Sequence, residues 1–252
     1  MRIQNCLLPV VTITGSSLMV GCSGDGGSCG SSAACAPAVI VTGDGYYEGT
    51  LASQGGAQAT PVVAIIADNG DGAISDQNGT YYRLNVILPQ NDVSGTFYGI
   101  SQGVNFPNGT QTTSGSISAV ATPSVLNGTL SGQTVDSLSL NFDTVYNLGS
   151  SLATLAGNWS YVTNGFTLTV TIRPDGTFAA IDSNNCTYTG AFSLIDPNFD
   201  AYGEQYIRSC GGVNVTFSGL ATYFPPTGNT ANADIKLLAD DGATEFLVAD
   251  LQ

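Results

Sequence analysis

The sequence predicts an all-β protein made of two tandem antiparallel up-and-down β-barrels of about eight strands each. Apolar and polar residues alternate with a period of two in several runs; in Phe166–Ile172, four apolar side chains share one face and three threonines the other. Asn-Gly and Asp-Gly pairs, which tolerate the positive φ of hairpin turns, separate these runs. Helical patterns are nearly absent, and Leu148 to Leu155 is the one stretch that fits a short helix.

Residues 1–21 have the organisation of a bacterial secretion signal. Arg2 supplies the only charge, and an apolar stretch ends in Met19-Val20-Gly21 directly before Cys22. This order resembles the lipobox of bacterial lipoproteins, in which the first mature cysteine carries a diacylglycerol and an acyl chain. The resemblance implies that Cys22 is lipidated. Two alternatives stay open: cleavage by an ordinary signal peptidase, and a membrane-spanning helix, which needs about 20 apolar residues and finds fewer here.

Residues 22–38 form the predicted tether. From Ser23 to Ser32 they are almost entirely Gly and Ser, a composition typical of a flexible coil. Cys29 and Cys35 lie in this tether and are expected to pair with each other, with an intermolecular bridge as the alternative. Several acyl chains on Cys22 would hold the protein in a bilayer. Because Ser23 resembles the family's outer-membrane signal, the expected location is the bacterial outer membrane, facing either the periplasm or the cell surface.

Two further cysteines favour a disulfide in an oxidising compartment. Residues 186–195 and 202–210 are predicted strands around the turn Asp196-Pro197-Asn198. This hairpin places Cys186 and Cys210 opposite each other, at a separation that a disulfide can bridge. Metal ligation is disfavoured, because the sequence has no histidine and no short Cys pair at a zinc-ligand spacing.

Two β domains follow the tether, at residues 39–147 and 157–252, with residues 148–156 as the linker. They look like versions of one plan. The first opens with Gly45-Tyr46-Tyr47 and the second with Gly157-Asn158-Trp159, and each continues through an apolar strand and an Asp-Gly turn. Eight antiparallel strands can close a small barrel without exposed edges. Paired β-sandwiches are the alternative.

The start of the second domain resembles the opening of avidin-like and lipocalin-like barrels. The matching features are Gly157 and Trp159 at the start of a strand, followed by the turn Asp175-Gly176. In those families the glycine lets the chain cross one end of the barrel and the aromatic ring plugs that end. The resemblance therefore implies that Trp159, and Tyr47 in the first domain, are barrel-end aromatics. The chain departs from the family in its late cation, Lys236 instead of arginine, and in having a single tryptophan.

The composition is acidic and sparsely charged. Asp and Glu number 19 against five Lys and Arg, giving a net charge of −14, and loss of Arg2 with the signal would make it −15. Binding to nucleic acid needs many cations to release the counterions of the phosphates. The composition therefore excludes nucleic acid as a partner, and the acidity is explained by the solubility that a Tyr- and Phe-rich surface protein needs.

The sequence also argues against catalysis. It has no histidine, which removes Ser-His-Asp and Cys-His mechanisms. Carboxylate pairs of the glycosidase type remain, namely Asp200 with Glu204, and Asp240 and Asp241 with Glu245. Both groups lie in or beside predicted turns, where acids are ordinarily solvated. We therefore expect a protein that is not an enzyme and that needs no cofactor.

Asp68-Asn69-Gly70-Asp71-Gly72 superficially resembles a calcium loop. An EF-hand needs ligands at alternating positions and a bidentate Glu at the twelfth, and Gly70 and Gly79 stand where side-chain ligands are required. A plain hairpin turn is favoured, so no metal site is predicted. Asp68, Asp71 and Asp76 remain the candidate ligands of an irregular calcium site.

Binding or scaffolding is the remaining class of function. We expect a non-enzymatic lipoprotein that binds a protein or glycan partner at the cell envelope through loops or one barrel face. A structural role in the envelope is the first alternative. The second is carriage of a small apolar ligand in a barrel cavity, where inward side chains such as Phe166 and Leu168 would line the interior instead of filling it.

Overall fold

The computed structural model describes residues 42–53, 59–76, 79–101, 110–163, 165–227 and 232–252, with the side chains of 110–112 excepted. The predicted signal at 1–21, the lipidation site Cys22 and the pair Cys29 and Cys35 lie outside these residues. Residues 41–252 form one compact unit. Within the described part of the chain, no helix has the length and apolar character needed to cross a membrane.

The first eight strands form a closed antiparallel barrel. Its strands are β1 (Gly45–Ser53), β2 (Ala59–Ile66), β3 (Asp71–Asp76), β4 (Thr80–Ile87), β5 (Asp92–Ser101), β6 (Thr110–Ala121), β7 (Val125–Ser131) and β8 (Val135–Asp143). Consecutive strands pair in sequence order. The ring closes where β8 returns to β1, with Gly49 opposite Leu140.

The second eight strands form a sheet that is nearly closed. They are β9 (Gly157–Thr163), β10 (Phe166–Ile172), β11 (Thr177–Asp182), β12 (Thr187–Leu194), β13 (Tyr202–Cys210), β14 (Val213–Phe224), β15 (Asp234–Asp240) and β16 (Phe246–Leu251). Strand order follows sequence order from β9 to β16. Two backbone hydrogen bonds between Ser160 and Gln252, of 2.7 and 2.8 Å, join the two ends of the sheet. The predicted all-β fold with two tandem eight-stranded barrels is confirmed.

A short 3-10 helix, Thr144–Leu148, and the single turn α1, Leu152–Leu155, connect the barrels. The side chain of Asp143 begins this connection by accepting a 2.9 Å hydrogen bond from the backbone N–H of Val145. The short helix expected near Leu148 to Leu155 is therefore present, although it contains only four residues.

Glycines inside the strands allow the sheets to bend into barrels. At Gly49, an added Cβ would overlap the carbonyl oxygen of Ser139 on β8, and at Gly219 it would overlap that of Leu238 on β15. Only a residue without a side chain permits such a close approach between neighbouring strands. Glycine at such positions is one of the devices by which a sheet curves into a barrel.

Each barrel interior is filled by side chains. In the first barrel the inward positions carry mainly Leu, Ile, Val and Ala around Tyr47, Tyr82 and Phe97. In the second, the alternating apolar residues of β10 meet Phe178, Phe192 and other aromatic rings. The void in the second interior measures about 20 Å³, which is room for about one water molecule. Pockets for drug-sized ligands are typically larger by more than tenfold.

A third core packs the barrels against each other. It is built from residues that point outward from both barrels and are nevertheless fully buried, among them Tyr46, Ile65, Tyr81, Leu238 and Phe246. The rings of Tyr81 and Phe246 stack across the interface with centroids 5.5 Å apart. The two barrels therefore share a continuous apolar interface in addition to the connecting segment.

The second barrel contains the predicted disulfide between Cys186 and Cys210. Strands β12 and β13 pair with Thr187 opposite Ser209, so the next positions along the ladder bring the two cysteines together with Cα atoms 4.5 Å apart. The pairing inferred from strand register is confirmed.

Candidate binding groove between the two barrels

A polar cluster lies at one side of the interface. The outward side chain of Arg83 on β4 crosses to the second barrel, where its Nη1 donates a 3.3 Å hydrogen bond to the carbonyl oxygen of Ser218. The same nitrogen lies 3.7 Å from Oδ2 of Asp240, and Nη2 lies 3.9 Å from Oδ1 of Asp71. Tyr98 donates a 2.5 Å hydrogen bond to Oδ1 of Asp240. Burial and this bond raise the pKa of Tyr98, so its hydroxyl stays protonated.

This cluster borders an open groove of about 820 Å³, hereafter the inter-barrel groove. The first barrel contributes Asn69, Asp71 and Arg83 to its lining. The outer surface of β12, β13 and β14 forms the opposite wall, with Thr189, Ser193, Gln205, Ile207, Thr216 and Ser218. The groove is therefore lined by residues from both barrels.

The chemistry of the groove is neutral along most of its length. On the side of the second barrel the outward side chains are hydroxyl, amide and small aliphatic groups, which can donate and accept hydrogen bonds. The charged groups of the lining that point into the groove are Asp71, whose side chain is 49% exposed, and Arg83, at 17%. Because Arg83 is held by Ser218, Asp240 and Asp71, its charge is largely compensated.

Two of the carboxylates considered as catalytic candidates are buried, contrary to the expectation that they are solvated. Asp200 and Glu204 are 1% and 4% exposed, and no carboxylate oxygen of either has a hydrogen-bond partner among the described residues. Burial raises the pKa of Asp200 to about 7, partly offset by the nearby Tyr223 backbone and Tyr202 hydroxyl. Burial also raises the pKa of Glu204 well above its ordinary value. The expectation of a solvated position was wrong for Glu204 because that residue, the third of β13, points into the barrel.

The second group of acids serves local structure. Asp240 is fully buried at the barrel interface, which again differs from the solvated position expected. The Oδ1 of Asp241 accepts hydrogen bonds of 2.8 to 2.9 Å from the backbone N–H groups of residues 243, 244 and 245 and so organises the turn before β16. Glu245 forms an ion pair with Arg208 at 2.5 Å. These contacts order the end of the second barrel.

Tyr47 and Trp159 occupy equivalent inward positions, each as the third residue of the first strand of its barrel. The Tyr47 hydroxyl donates a 3.1 Å hydrogen bond to the carbonyl oxygen of Gly43. The Trp159 Nε1 donates a 2.9 Å bond to that of Leu155. Each ring is therefore tied to the segment that precedes its own barrel.

The candidate calcium residues lie at two separate turns. Ala67 to Gly70 form the hairpin turn before β3, in which Asn69 Oδ1 accepts a 2.9 Å hydrogen bond from the N–H of Asp71. Asp76 Oδ1 accepts a 2.8 Å bond from the N–H of Thr80 at the next hairpin. Within the described residues no group of three or more His, Cys, Asp or Glu is arranged to hold a metal ion.

Sequence reasoning missed the residues that build the inter-barrel groove. Neither Arg83 nor Tyr98 is among the predicted site residues, yet the sequence does contain a signal for the interface. The run Val62 to Ala67 is apolar at every position, as expected of a strand buried on both faces, whereas β10 alternates strictly. Comparisons of this chain with protein-family models, with curated proteins and with solved structures find no match.

Proposed function

We propose that this protein is a lipid-anchored, non-enzymatic binding protein of the bacterial cell envelope, and that it holds its partner in the inter-barrel groove. The groove of about 820 Å³, lined by both barrels, is the observation that carries the proposal. Its size falls within the range of 300 to 1,000 Å³ typical of ligand sites. Binding in the groove would contact both barrels at once.

The groove favours an uncharged polar partner, such as a neutral segment of a glycan or of a protein. Hydroxyl and amide side chains on β12 to β14 offer hydrogen bonds, while Asp71 and the compensated Arg83 contribute little net charge. A strongly acidic partner would be repelled by a chain with a net charge of −14. Carriage of an apolar molecule inside a barrel is less well supported, because the void in the second interior is only about 20 Å³.

The non-enzymatic part of the proposal is supported by the surroundings of the acids. The chain has no histidine, and the buried carboxylates of Asp200 and Glu204 are shielded from solvent. A general acid or base must come within hydrogen-bond reach of a substrate atom. Asp71 is the accessible carboxylate among the described residues that line the groove. A two-carboxylate mechanism would require a second accessible carboxylate about 5 to 10 Å away, and the other acid of the lining, Glu204, is buried.

The anchor is tested by changing Cys22 to Ser and separating membranes from soluble material. We expect the wild-type protein to sediment with membranes and to incorporate labelled palmitate, because several acyl chains hold a protein at a bilayer durably. The serine variant should be soluble and unlabelled. A variant that still sediments with the membranes would contradict the lipid anchor and leave the groove proposal standing.

The groove is tested with the substitution Gln205→Trp, which places a large ring at an exposed outward position of β13. The matched control is Thr96→Trp, at an exposed outward position of β5 in the other barrel and outside the groove lining. Native mass spectrometry would probe both variants with panels of neutral oligosaccharides and neutral peptides. We expect the wild type and the control to bind members of one panel and Gln205→Trp to lose that binding. Equal binding by all three proteins, or by none, would refute the groove as the site.

A further inference from the structure

The outer surface of the second barrel is free of charge over six strands. From β9 to β14 the outward strand positions carry Ser, Thr, Asn, Gln, Gly, Ala, Val and Ile, apart from three residues near the end of β14 that face the first barrel. We call this surface the neutral wall. The acids of the second barrel lie elsewhere: in turns, as at Asp175 and Asp196, in the interior, as at Glu204, or on β15 and β16.

Three exposed aliphatic residues cross the neutral wall on alternate strands. Val162 on β9, Ile181 on β11 and Ile207 on β13 are 69%, 49% and 43% exposed. Threonines on the strands between them stand directly opposite, with Thr169 facing Ile181 and Thr189 facing Ile207. Val162 stands opposite Thr167 and Ile181 opposite Thr187, so each aliphatic residue is also shifted by two positions along the ladder from the one before it. With strands about 4.8 Å apart and about 6.7 Å for two residues along a strand, these residues follow a diagonal with a spacing of about 12 Å and a length of about 23 Å. We call Val162, Ile181 and Ile207 the apolar stripe.

The charge pattern indicates what covers the apolar stripe. A basic partner would find no carboxylate at the outward strand positions of the neutral wall; Asp175 lies at its border, in the turn between β10 and β11, where it accepts from Thr177. A second copy of this chain carries the same net charge of −14, so most approaches between two copies are repulsive. The neutral wall is a surface where two copies can meet without opposing like charges.

The side chains of the stripe also suit self-association. Valine, isoleucine and threonine are branched at Cβ and have few rotamers, so their burial costs little conformational entropy. In a two-fold arrangement the aliphatic groups of one copy can pack against the threonine methyl groups of the other. We propose that the neutral wall is a self-association surface, through which two copies of this protein dock by their apolar stripes about a two-fold axis.

The area of the wall limits the strength of this dimer. Six strands span about 24 Å, and three rows of outward residues span about 13 Å along the strands, so each copy contributes on the order of 300 to 500 Å². That is at or below the small end of specific interfaces. The dimer should therefore be weak and reversible in solution, with a dissociation constant in the micromolar range or above. Anchoring to one membrane would raise the local concentration of copies and favour the dimer.

Sedimentation velocity tests the proposal on the full chain with Cys22→Ser, a change far from the neutral wall in sequence that keeps the protein soluble if the anchor proposal holds. We expect a monomer–dimer equilibrium between about 1 and about 300 μM, with more dimer at about 0.5 M than at about 0.05 M NaCl, because salt screens the repulsion. Ile181→Glu and Ile181→Lys should both raise the dissociation constant at least tenfold, since either buries an unpaired charge. If Ile181→Glu weakened the dimer while Ile181→Lys tightened it, the result would contradict apolar docking.

The matched controls are Ile87→Glu and Ile87→Lys, because Ile87 is a 66% exposed isoleucine on β4 of the other barrel. Each Ile87 variant is compared with the Ile181 variant that has the same net charge. Both Ile87 variants should leave the dissociation constant of the dimer within about twofold of that of the Cys22→Ser protein. If Ile181 variants fail to fold, as judged by circular dichroism, Val162→Lys provides the same test at another position of the stripe. A chain that stays monomeric up to about 300 μM at both salt concentrations, or dimers weakened equally by the Ile87 variants, would overturn the proposal. Ile207, at one end of the apolar stripe, also lines the inter-barrel groove, whereas the tested positions Val162 and Ile181 do not. The groove proposal has its own test in Gln205→Trp and would survive either outcome.

Discussion

The hydroxyl of Tyr98 donates a 2.5 Å hydrogen bond to Oδ1 of Asp240, and this bond joins β5 of one barrel to β15 of the other. Asp240 is fully buried, and Oδ1 also accepts a 2.7 Å bond from the N–H of Gly242. Arg83 lies 3.7 Å from its other oxygen. A buried carboxylate therefore has its donors on both sides of an interface whose core is mainly apolar.

We predict that Tyr98→Phe destabilises the protein by about 2 kcal/mol, because it removes a hydrogen bond to a buried charged group. Asp240→Ala should cost more, about 3 kcal/mol, since it also leaves Arg83 without a buried counter-charge. Urea unfolding followed by circular dichroism gives both values. Ser94→Ala, at an outward position of the same strand β5, is the control and should change the free energy of unfolding by less than about 0.5 kcal/mol. A Tyr98→Phe variant as stable as the wild type would show that the bond contributes nothing.

Asp200 makes stability depend on pH. Its pKa is raised from 3.8 to about 7 in the folded protein, so between these values the folded state binds more protons than the unfolded state. The free energy of unfolding should therefore fall as the pH rises from about 4 to about 7, by about 4 kcal/mol in total. Asp200→Asn cannot ionise and should remove this part of the slope. The comparison is made by chemical unfolding at several pH values, and equal slopes in the two proteins would contradict the prediction.

Glu204 should extend the loss of stability to higher pH. Burial raises its pKa well above 4.5, so its proton is retained in the folded barrel where the unfolded chain has lost it. Glu204→Gln keeps the shape of the side chain and cannot ionise. We expect the wild type to lose stability relative to this variant as the pH rises above about 4.5, with the loss continuing to the folded pKa. A wild type that gains stability over the variant as the pH rises would reveal an unseen cationic partner.

The disulfide between Cys186 and Cys210 closes a loop with a sequence separation of 24 residues. Its removal in the double variant Cys186→Ser, Cys210→Ser should cost about 3 kcal/mol in the chain-entropy treatment of the unfolded state. Reduction with a thiol should lower the stability of the wild type by a similar amount and leave that of the double variant unchanged. The double variant is thus the control for the reductant. If the thiol destabilises both proteins equally, the effect does not come from this bond.

Gly49 tests the need for glycine where β1 and β8 approach closely. Gly49→Val would place a Cβ against the Ser139 carbonyl on β8, and the closed ladder between β1 and β8 leaves little room to shift. We expect a destabilisation of at least about 3 kcal/mol or failure to fold, measured by urea unfolding. Thr50→Val, at the next position and on the outer face of β1, should stay within about 1 kcal/mol of the wild type. Equal stability of the two variants would mean that the contact between β1 and β8 does not need glycine.

The barrels could be predicted from sequence because their signals are local. Hairpin turns depend on a few residues, as in Pro174-Asp175-Gly176, where Gly176 has φ of 82° and Asp175 accepts from the N–H of Thr177. The register of one hairpin then sufficed to pair Cys186 with Cys210, since opposite residues follow from the position of the turn.

The inter-barrel groove could not be predicted in the same way, because its residues are distant in sequence. Arg83 and Asp240 belong to different barrels and come together only in the packed arrangement of the two. The apolar run at Val62 to Ala67 does indicate that a strand is covered on both faces, but it does not say by what. Glu204 was misjudged for a similar reason, since an acid near a predicted turn gives no sign that it points into a barrel.

The closed ring of the first barrel has a mechanical consequence. Strand β1, the first strand in the described part of the chain, is hydrogen-bonded to β2 on one edge and to β8 on the other. Tension transmitted along the chain from the N-terminal side therefore acts on two ladders in shear at once and cannot peel away a lone edge strand. With the second attachment point in the segment between the barrels, a pull from the N-terminal side should need a higher force than a pull from the C-terminal side. There β16 has one ladder, to β15, and is held on its other edge mainly by the two backbone bonds between Ser160 and Gln252.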